Sequence, residues 1–189
     1  MIDNTTTNLN TSTASNNGPL VTGLFRDRES AEAAYNAASA RGYSKDDVNL
    51  VMSDETRNRH FANDSTAGVQ TELGNKAAEG AGIGGAIGGT LGAIVAAVAA
   101  VGTSLALPGV GLVVAGPLAA ALAGAGAGAA SGGLIGALIG WNIPEERVKH
   151  YEKGIQEGGI LMGMRTRSDE DATYLENEWK QHRGEHVYR

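Results

Sequence analysis

The sequence predicts an α+β fold, in which a small α/β domain built from both flanks is interrupted by an inserted antiparallel hairpin of two apolar helices. The middle of the chain, 80–144, contains no Asp, Glu, Lys, Arg or His. Strand and helix patterns alternate on both sides of it. Because neither flank is long enough to bury a core alone, we expect the two flanks to fold together.

Glycine recurs at every fourth position in two parts of the apolar stretch, which holds 18 of the 28 glycines. Residues four apart lie on nearly the same face of a helix, and a ridge without side chains lets a second helix approach closely. We therefore predict a glycine zipper over 80–143. The expected helix–helix packing residues are Gly80, Gly84, Gly88, Gly92, Gly124, Gly128, Gly132, Gly136 and Gly140.

A cluster of proline and glycine between the two ladders predicts the turn of the hairpin. Pro108 and Pro117 bracket Gly109 and Gly111, and such clusters are typical of turns. The first helix is predicted to run from Gly80 to residue 107 and the second from 118 to 141.

Each predicted helix is long enough to cross a bilayer, since about 1.5 Å per residue gives roughly 36–40 Å against a hydrocarbon core of about 30 Å. Trp141 lies where an indole can sit at the lipid–water interface, and Lys76, Arg147 and Lys149 outside the outer ends predict cytoplasmic flanks. The alternative is a soluble protein that buries the hairpin in an oligomer, because much of the stretch is Ala and Gly, which gain little from lipid.

The chain before the hairpin predicts three segments. Residues 1–18, rich in Asn and Thr, are expected to be a disordered polar tail. Residues 19–53 predict strand, helix and strand, with Asp27 capping the helix and Gly42 ending it. Residues 54–79 are polar and without a clear period, so we expect a linker.

The chain after the hairpin, 144–189, predicts helix, strand, helix and strand. Pro144 suits the first turn of a helix, and Gly158 stops that helix. Ser168 caps the next helix, which ends at Gly184. The combined flanks predict three or four strands with helices on one face, ferredoxin-like in character.

Composition excludes several function classes. A net charge of −6 with no Lys/Arg cluster argues against a nucleic-acid partner. The absence of cysteine excludes disulfides and thiol chemistry. The amino-terminal residues lack the basic and apolar regions of a secretory signal, so we do not expect secretion. The expected location is the cytoplasmic side of the inner membrane, or an assembly in the cytoplasm.

No catalytic, metal-binding or cofactor-binding residues are predicted. Gly80, Gly82 and Gly85 satisfy GxGxxG, but no strand precedes them and no acidic residue follows at the required distance. His182 and His186 are four apart with Gly184 between them, which favours two exposed side chains near the end of a helix. We therefore expect no cofactor and no enzymatic activity.

Four segments carry a resemblance to a bacterial family. They are VTGLFRDRESAEAAYNAASARGYSKDDVNLVMS, GAGIGGAIGGTLGAIVAA, ALPGVGLVVAGPLAAALAGAGAGAASGGLIGALIG and IPEERVKHYEKGIQEGGILMGMRT. In this order they resemble the general stress proteins, which include heat-induced proteins of some bacteria and low-temperature-induced proteins of cyanobacteria. The resemblance covers residues 20–167. It implies a role under stress and no enzymatic activity, and it supplies no catalytic residues.

The sequence thus favours a non-enzymatic stress-response protein whose glycine-zipper hairpin mediates membrane association, self-assembly, or both. The expected partners are other copies of the chain and a lipid membrane. One alternative is a homo-oligomeric channel or pore. Another is a soluble oligomer with a regulatory α/β domain that binds a small ligand, although no residue identifies that ligand.

Overall fold

The computed structural model describes residues 18–65, 105–107, 111–117, 119, 135–136, 138–139 and 141–189. The strands are β1 Leu20–Phe25, β2 Val48–Ser53, β3 Leu105–Leu107, β4 Leu112–Ala115, β5 Ile160–Arg165 and β6 Glu185–Tyr188. The helices with described bounds are α1 Arg28–Ala40, α2 Asp54–Ser65, α3 Glu145–Gln156 and α4 Asp169–Gln181. This mixture of helices and antiparallel strands confirms an α+β fold.

In the described part of the chain, the strands form one antiparallel sheet in the order β3-β4-β2-β5-β1-β6. β5 lies between β1 and β2, pairing Phe25 with Ile160 on one side and Val51 with Leu161 on the other. The two flanks therefore share one sheet, as the sequence predicts. β4 extends this sheet beyond β2, with Leu50 opposite Ala115.

One face of the sheet packs against α1 and α4. The apolar stripes expected on these helices are buried: Ala31, Ala34, Tyr35, Ala38, Ala172, Leu175 and Trp179. Trp179 is central, because its ring meets Phe25 edge-on at 5.8 Å and its indole N–H donates to the carbonyl oxygen of Ala34 at 3.0 Å. The alternation of Val48, Leu50 and Met52 in β2 also faces this core.

The opposite face packs against α3 and against residues of the apolar stretch. Val148, Tyr151 and Ile155 of α3 are fully buried there with Leu24 and Leu161. The expectation of helices on one face only is therefore wrong. Since β2 and β5 are covered on both faces, they read as nearly continuous apolar runs in the sequence.

Helix α2 occupies the first part of the segment that was expected to be a linker. Its buried side chains within 54–61 are Thr56 and Phe61, each 1% exposed. The Arg28 guanidinium lies over the Phe61 ring at 5.3 Å. With a single buried apolar residue in that range, α2 lacks the repeating stripe by which a helix is recognised. Residues 66–79 of the predicted linker, and most of the predicted tail, lie outside the described residues.

Candidate functional site

The middle of the apolar stretch belongs to the sheet. Leu105–Leu107, predicted as the end of a helix, forms β3, and Leu112–Ala115, predicted as part of a turn, forms β4. The two strands pair with each other, and β4 pairs with β2. The predicted turn is thus part of a β-hairpin. The sequence predicts instead that two helices are joined directly at this point. With β4 beside β2, the turn and both flanks lie in one sheet. That arrangement does not fit a hairpin whose turn lies across a bilayer from its flanks.

The predicted turn residues fall at the ends of these strands. Gly111 has a φ of 58°, and its carbonyl oxygen accepts from the N–H of Asp54 at 2.7 Å. This bond joins the tip of the β-hairpin to the first residue of α2. Pro117 is exposed just after β4. Pro108 and Gly109 lie outside the described residues.

Gly116 marks the point where the chain leaves the sheet. Its φ is 97°, a conformation that favours glycine. A Cβ at this position would lie 2.2 Å from the carbonyl oxygen of Val48 and 3.0 Å from the Cα of Asn49. Gly116 therefore lets β4 approach the backbone of β2.

Of the predicted zipper glycines, Gly136 alone lies among the described residues. It is helical, and a Cβ built on it meets no atom within 4 Å. Packing of Gly136 against a second helix therefore remains a prediction. Eight other predicted packing residues lie outside the described residues: Gly80, Gly84, Gly88, Gly92, Gly124, Gly128, Gly132 and Gly140.

The last helical turn of the apolar stretch has both buried and exposed aliphatic residues. Leu138 is fully buried against the sheet, whereas Ile135 and Ile139 are 40% and 47% exposed. The turn ends at Asn142, with a φ of 67°, and the N–H of Ile143 donates to the carbonyl oxygen of Leu138 at 3.1 Å. This is the Schellman ending of a helix.

Trp141 packs on the sheet. A Cβ on Gly163 of β5 would lie 2.1 Å from Cη2 of the Trp141 ring, so the ring rests directly on the glycine backbone. The prediction from sequence placed this indole at a lipid–water interface. The structure instead uses it to cover the β5 backbone beside the core of Leu24 and Tyr151.

A cleft of about 370 Å³ opens where β1, β5 and α3 begin or end. Three of its lining residues are arginines: Arg147, Arg165 and Arg189. The rest of the lining is polar or apolar and contains no Asp or Glu: Pro19, Leu20, Thr22, Asn142, Ile143 and Pro144. The cleft therefore concentrates positive charge on a chain whose net charge is −6.

Each arginine is placed by a different element. Arg147, in the first turn of α3, lies over the ring of Tyr188 at 4.4 Å. Arg165 is the last residue of β5, opposite Leu20. Arg189 follows β6 and contacts Glu176 at 3.2 Å. The sequence gives no hint of this grouping, because only the sheet register brings positions 147, 165 and 189 together.

A buried hydrogen-bond chain supports the floor of the cleft. The hydroxyl groups of Thr22 and Tyr151 are 2.7 Å apart, and the Tyr151 hydroxyl donates to the carbonyl oxygen of His186 at 2.8 Å. Burial raises the pKa of Tyr151 to about 12, so this phenol is neutral at pH 7. These hydrogen bonds join β1 and α3, which border the cleft, to β6.

The described residues contain neither a membrane-spanning helix nor a cluster of metal-binding side chains. Between 18 and 65 and in the described positions after 104, no helix has the length and apolarity to cross a membrane. In the same residues, no group of three or more His, Asp or Glu side chains is arranged to hold a metal ion.

No protein-family model, curated protein or solved structure significantly matches this chain.

Proposed function

We propose that this chain is a non-enzymatic stress-response protein whose apolar stretch mediates self-assembly, membrane association, or both, while the α/β domain holds that stretch in place. The stress role is implied by the resemblance to the general stress proteins. The single observation that carries the assembly role is the exposed aliphatic pair Ile135 and Ile139, at 40% and 47% exposure, on the described end of the glycine-rich stretch.

The exposed pair is a candidate contact surface because its spacing places both side chains on one side of a helical turn. Leu138, next to this pair on the same turn, is buried and anchors the turn to the sheet. Large apolar side chains on a fixed turn, continuing into a stretch without charges, are typical of a surface that is covered by another apolar element or by lipid. The glycine ladders are the proposed packing elements further along.

The strand order also supports the ferredoxin-like arrangement that we propose for the flanks. Without β3 and β4, the order is β2-β5-β1-β6, with α1 between β1 and β2 and α4 between β5 and β6. We propose that the apolar stretch is an insertion between the halves of this domain, and that its midpoint adds β3 and β4 to the sheet.

Sizing of the purified full chain, with and without detergent, tests this proposal together with cell fractionation. We expect large particles or membrane-bound protein, and a smaller particle for the double variant Gly88→Leu, Gly132→Leu. The matched control is Ala86→Leu, Ala130→Leu, which adds similar volume two positions away from ladder members and so on the other side of a helix. A native chain found solely as a soluble monomer would refute the proposal, as would equal shifts in both double variants.

A further inference from the structure

The cleft lined by Arg147, Arg165 and Arg189 has no part in the proposed assembly. Arg147 and Arg165 have no carboxylate partner among the described residues, whereas most of the described arginines are in ion pairs. Two arginines that line one cleft without a carboxylate partner repel each other in the absence of an anion, since like charges repel. The cleft is therefore arranged as if a negative group were to complete it.

We propose that this cleft binds a phosphate group carried by a small molecule or by a lipid headgroup. Guanidinium groups are planar forks that donate two parallel hydrogen bonds to phosphate oxygens. The Tyr188 ring covers one flat side of the Arg147 guanidinium, at 4.4 Å from its centroid. Stacking of this kind holds the group in place and leaves its N–H edge free to donate.

The other two arginines reach the cleft from different elements of the fold. Arg165 is fixed at the end of a central strand, whose backbone is paired to Leu20. Arg189 is held by Glu176 at 3.2 Å and by a hydrogen bond to the Thr173 hydroxyl at 2.6 Å. Glu176 offsets the Arg189 charge, so Arg147 and Arg165 supply the two unbalanced positive charges of the cleft. A phosphomonoester dianion matches that excess better than a single carboxylate does.

The start of α3 adds a second source of positive potential. Pro144 is its N-cap and lines the cleft, and no side chain caps this helix end. The N–H groups of a first helical turn carry partial positive charge and bind phosphate in many proteins. The carboxylates of that turn, Glu145 and Glu146, are exposed and do not line the cleft.

The remaining lining fits the organic part of such a ligand. Pro19, Leu20 and Ile143 provide apolar contacts, and Asn142 provides an amide. A volume of about 370 Å³ is near the lower end of ligand pockets, which run from about 300 to 1,000 Å³. The cleft thus suits a phosphate with a short organic group, either free or at the end of a lipid.

The test uses the purified full chain and two probes at constant ionic strength. The soluble probe is glycerol 3-phosphate, titrated by calorimetry. The lipid probe is a phosphatidylcholine vesicle with or without phosphatidic acid, measured by co-sedimentation. We expect saturable binding to one or both probes, and the double variant Arg147→Gln, Arg165→Gln should weaken it about tenfold or more, because it removes charge-assisted hydrogen bonds. The matched control is the double variant Arg57→Gln, Arg59→Gln, which removes the same two charges from α2, away from the cleft.

The outcomes distinguish a free phosphorylated molecule from a lipid headgroup, and either of these from failure of the proposal. Binding of the soluble probe that the double variant loses assigns a free phosphorylated molecule, and binding of phosphatidic acid vesicles alone, lost in the same way, assigns a lipid. Absence of saturable binding to either probe overturns the proposal, as does equal binding by the cleft double variant and the control double variant. If the double variant does not fold, Arg165→Gln alone serves, because that side chain is exposed and has no ion pair among the described residues. These binding results do not depend on oligomeric size, so failure of this proposal can be distinguished from failure of the proposed assembly role.

Discussion

Gly116→Ala is the sharpest test of whether the apolar stretch belongs to the sheet. The new Cβ would lie 2.2 Å from the carbonyl oxygen of Val48, which is rigid backbone of β2. The φ of 97° is also unfavourable for alanine. We therefore expect β4 to move away from β2, or the whole domain to lose stability.

The magnitude follows from two costs. A non-glycine residue in a sparsely populated backbone region costs about 1–3 kcal/mol. Forcing an extra carbon into a packed site costs about 1–3 kcal/mol more. The sum, roughly 2–6 kcal/mol, is a large part of the about 5–15 kcal/mol by which typical domains are stable. Detachment of β4 limits the loss, because it relieves the clash while β1 and β5 stay paired.

Hydrogen exchange and urea unfolding distinguish these responses. We expect faster exchange at the amides of Val113 and Ala115, in β4, or a lower free energy of unfolding. The control is Gly136→Ala, since a Cβ there meets no atom within 4 Å and alanine favours a helix by about 1 kcal/mol over glycine. If Gly116→Ala changes neither measurement, or if Gly136→Ala is equally damaging, our account of how this stretch packs is wrong.

Three further substitutions test other contacts. Gly163→Ala should displace the Trp141 ring, whose Cη2 lies 2.1 Å from the added Cβ, and unchanged Trp fluorescence would contradict that packing. Tyr151→Phe should cost about 1 kcal/mol in urea unfolding through the lost hydrogen bond to Thr22. It should also flatten the fall in stability between pH 10 and 12, and a slope equal to that of the native chain would argue against burial of this phenol. Ser168→Ala should cost about 1 kcal/mol, because the hydroxyl caps α4, and an unchanged midpoint would show that the cap is dispensable.

The sign of the alkaline prediction follows from proton binding. Burial raises the pKa of Tyr151 from 10.0 to about 12 in the folded state. Between these values the unfolded chain releases its proton while the folded chain keeps it. The contribution of Tyr151 to the free energy of unfolding is therefore fully present below pH 10 and is lost as the pH rises towards 12. Two pKa units correspond to about 2–3 kcal/mol.

The flanks were predictable because their patterns are local. Asp27 caps α1 through the N–H of Ser30, and Ser168 caps α4 through the N–H of Asp171. Gly42 has the positive φ of a helix ending, at 80°. Each of these signals lies within a few residues of the element that it begins or ends, so a single sequence is enough to recognise them.

The apolar stretch was not predictable in the same way. The residues of β4, Leu112–Ala115, are all buried, from 1% to 5% exposed. A strand covered on both faces has no alternation, and among Ala and Gly it cannot be told from a helix by periodicity. Its bounds do carry a signal, since Gly111 and Gly116 enclose a run containing two valines. The cleft was hidden for another reason, because its arginines are far apart in the chain.

The attachment of β4 to β2 limits how far the neighbouring chain can reach. Between Gly116 and Leu138, both fixed on the domain, lie 21 residues, so any part of them that left the domain would also have to return to it. As a helix, half of that length extends roughly 15 Å, about half of a hydrocarbon core of about 30 Å. A helical excursion of that length could enter the near leaflet and return, but it could not cross both leaflets. Any bilayer that it enters must therefore lie directly against the edge of the domain.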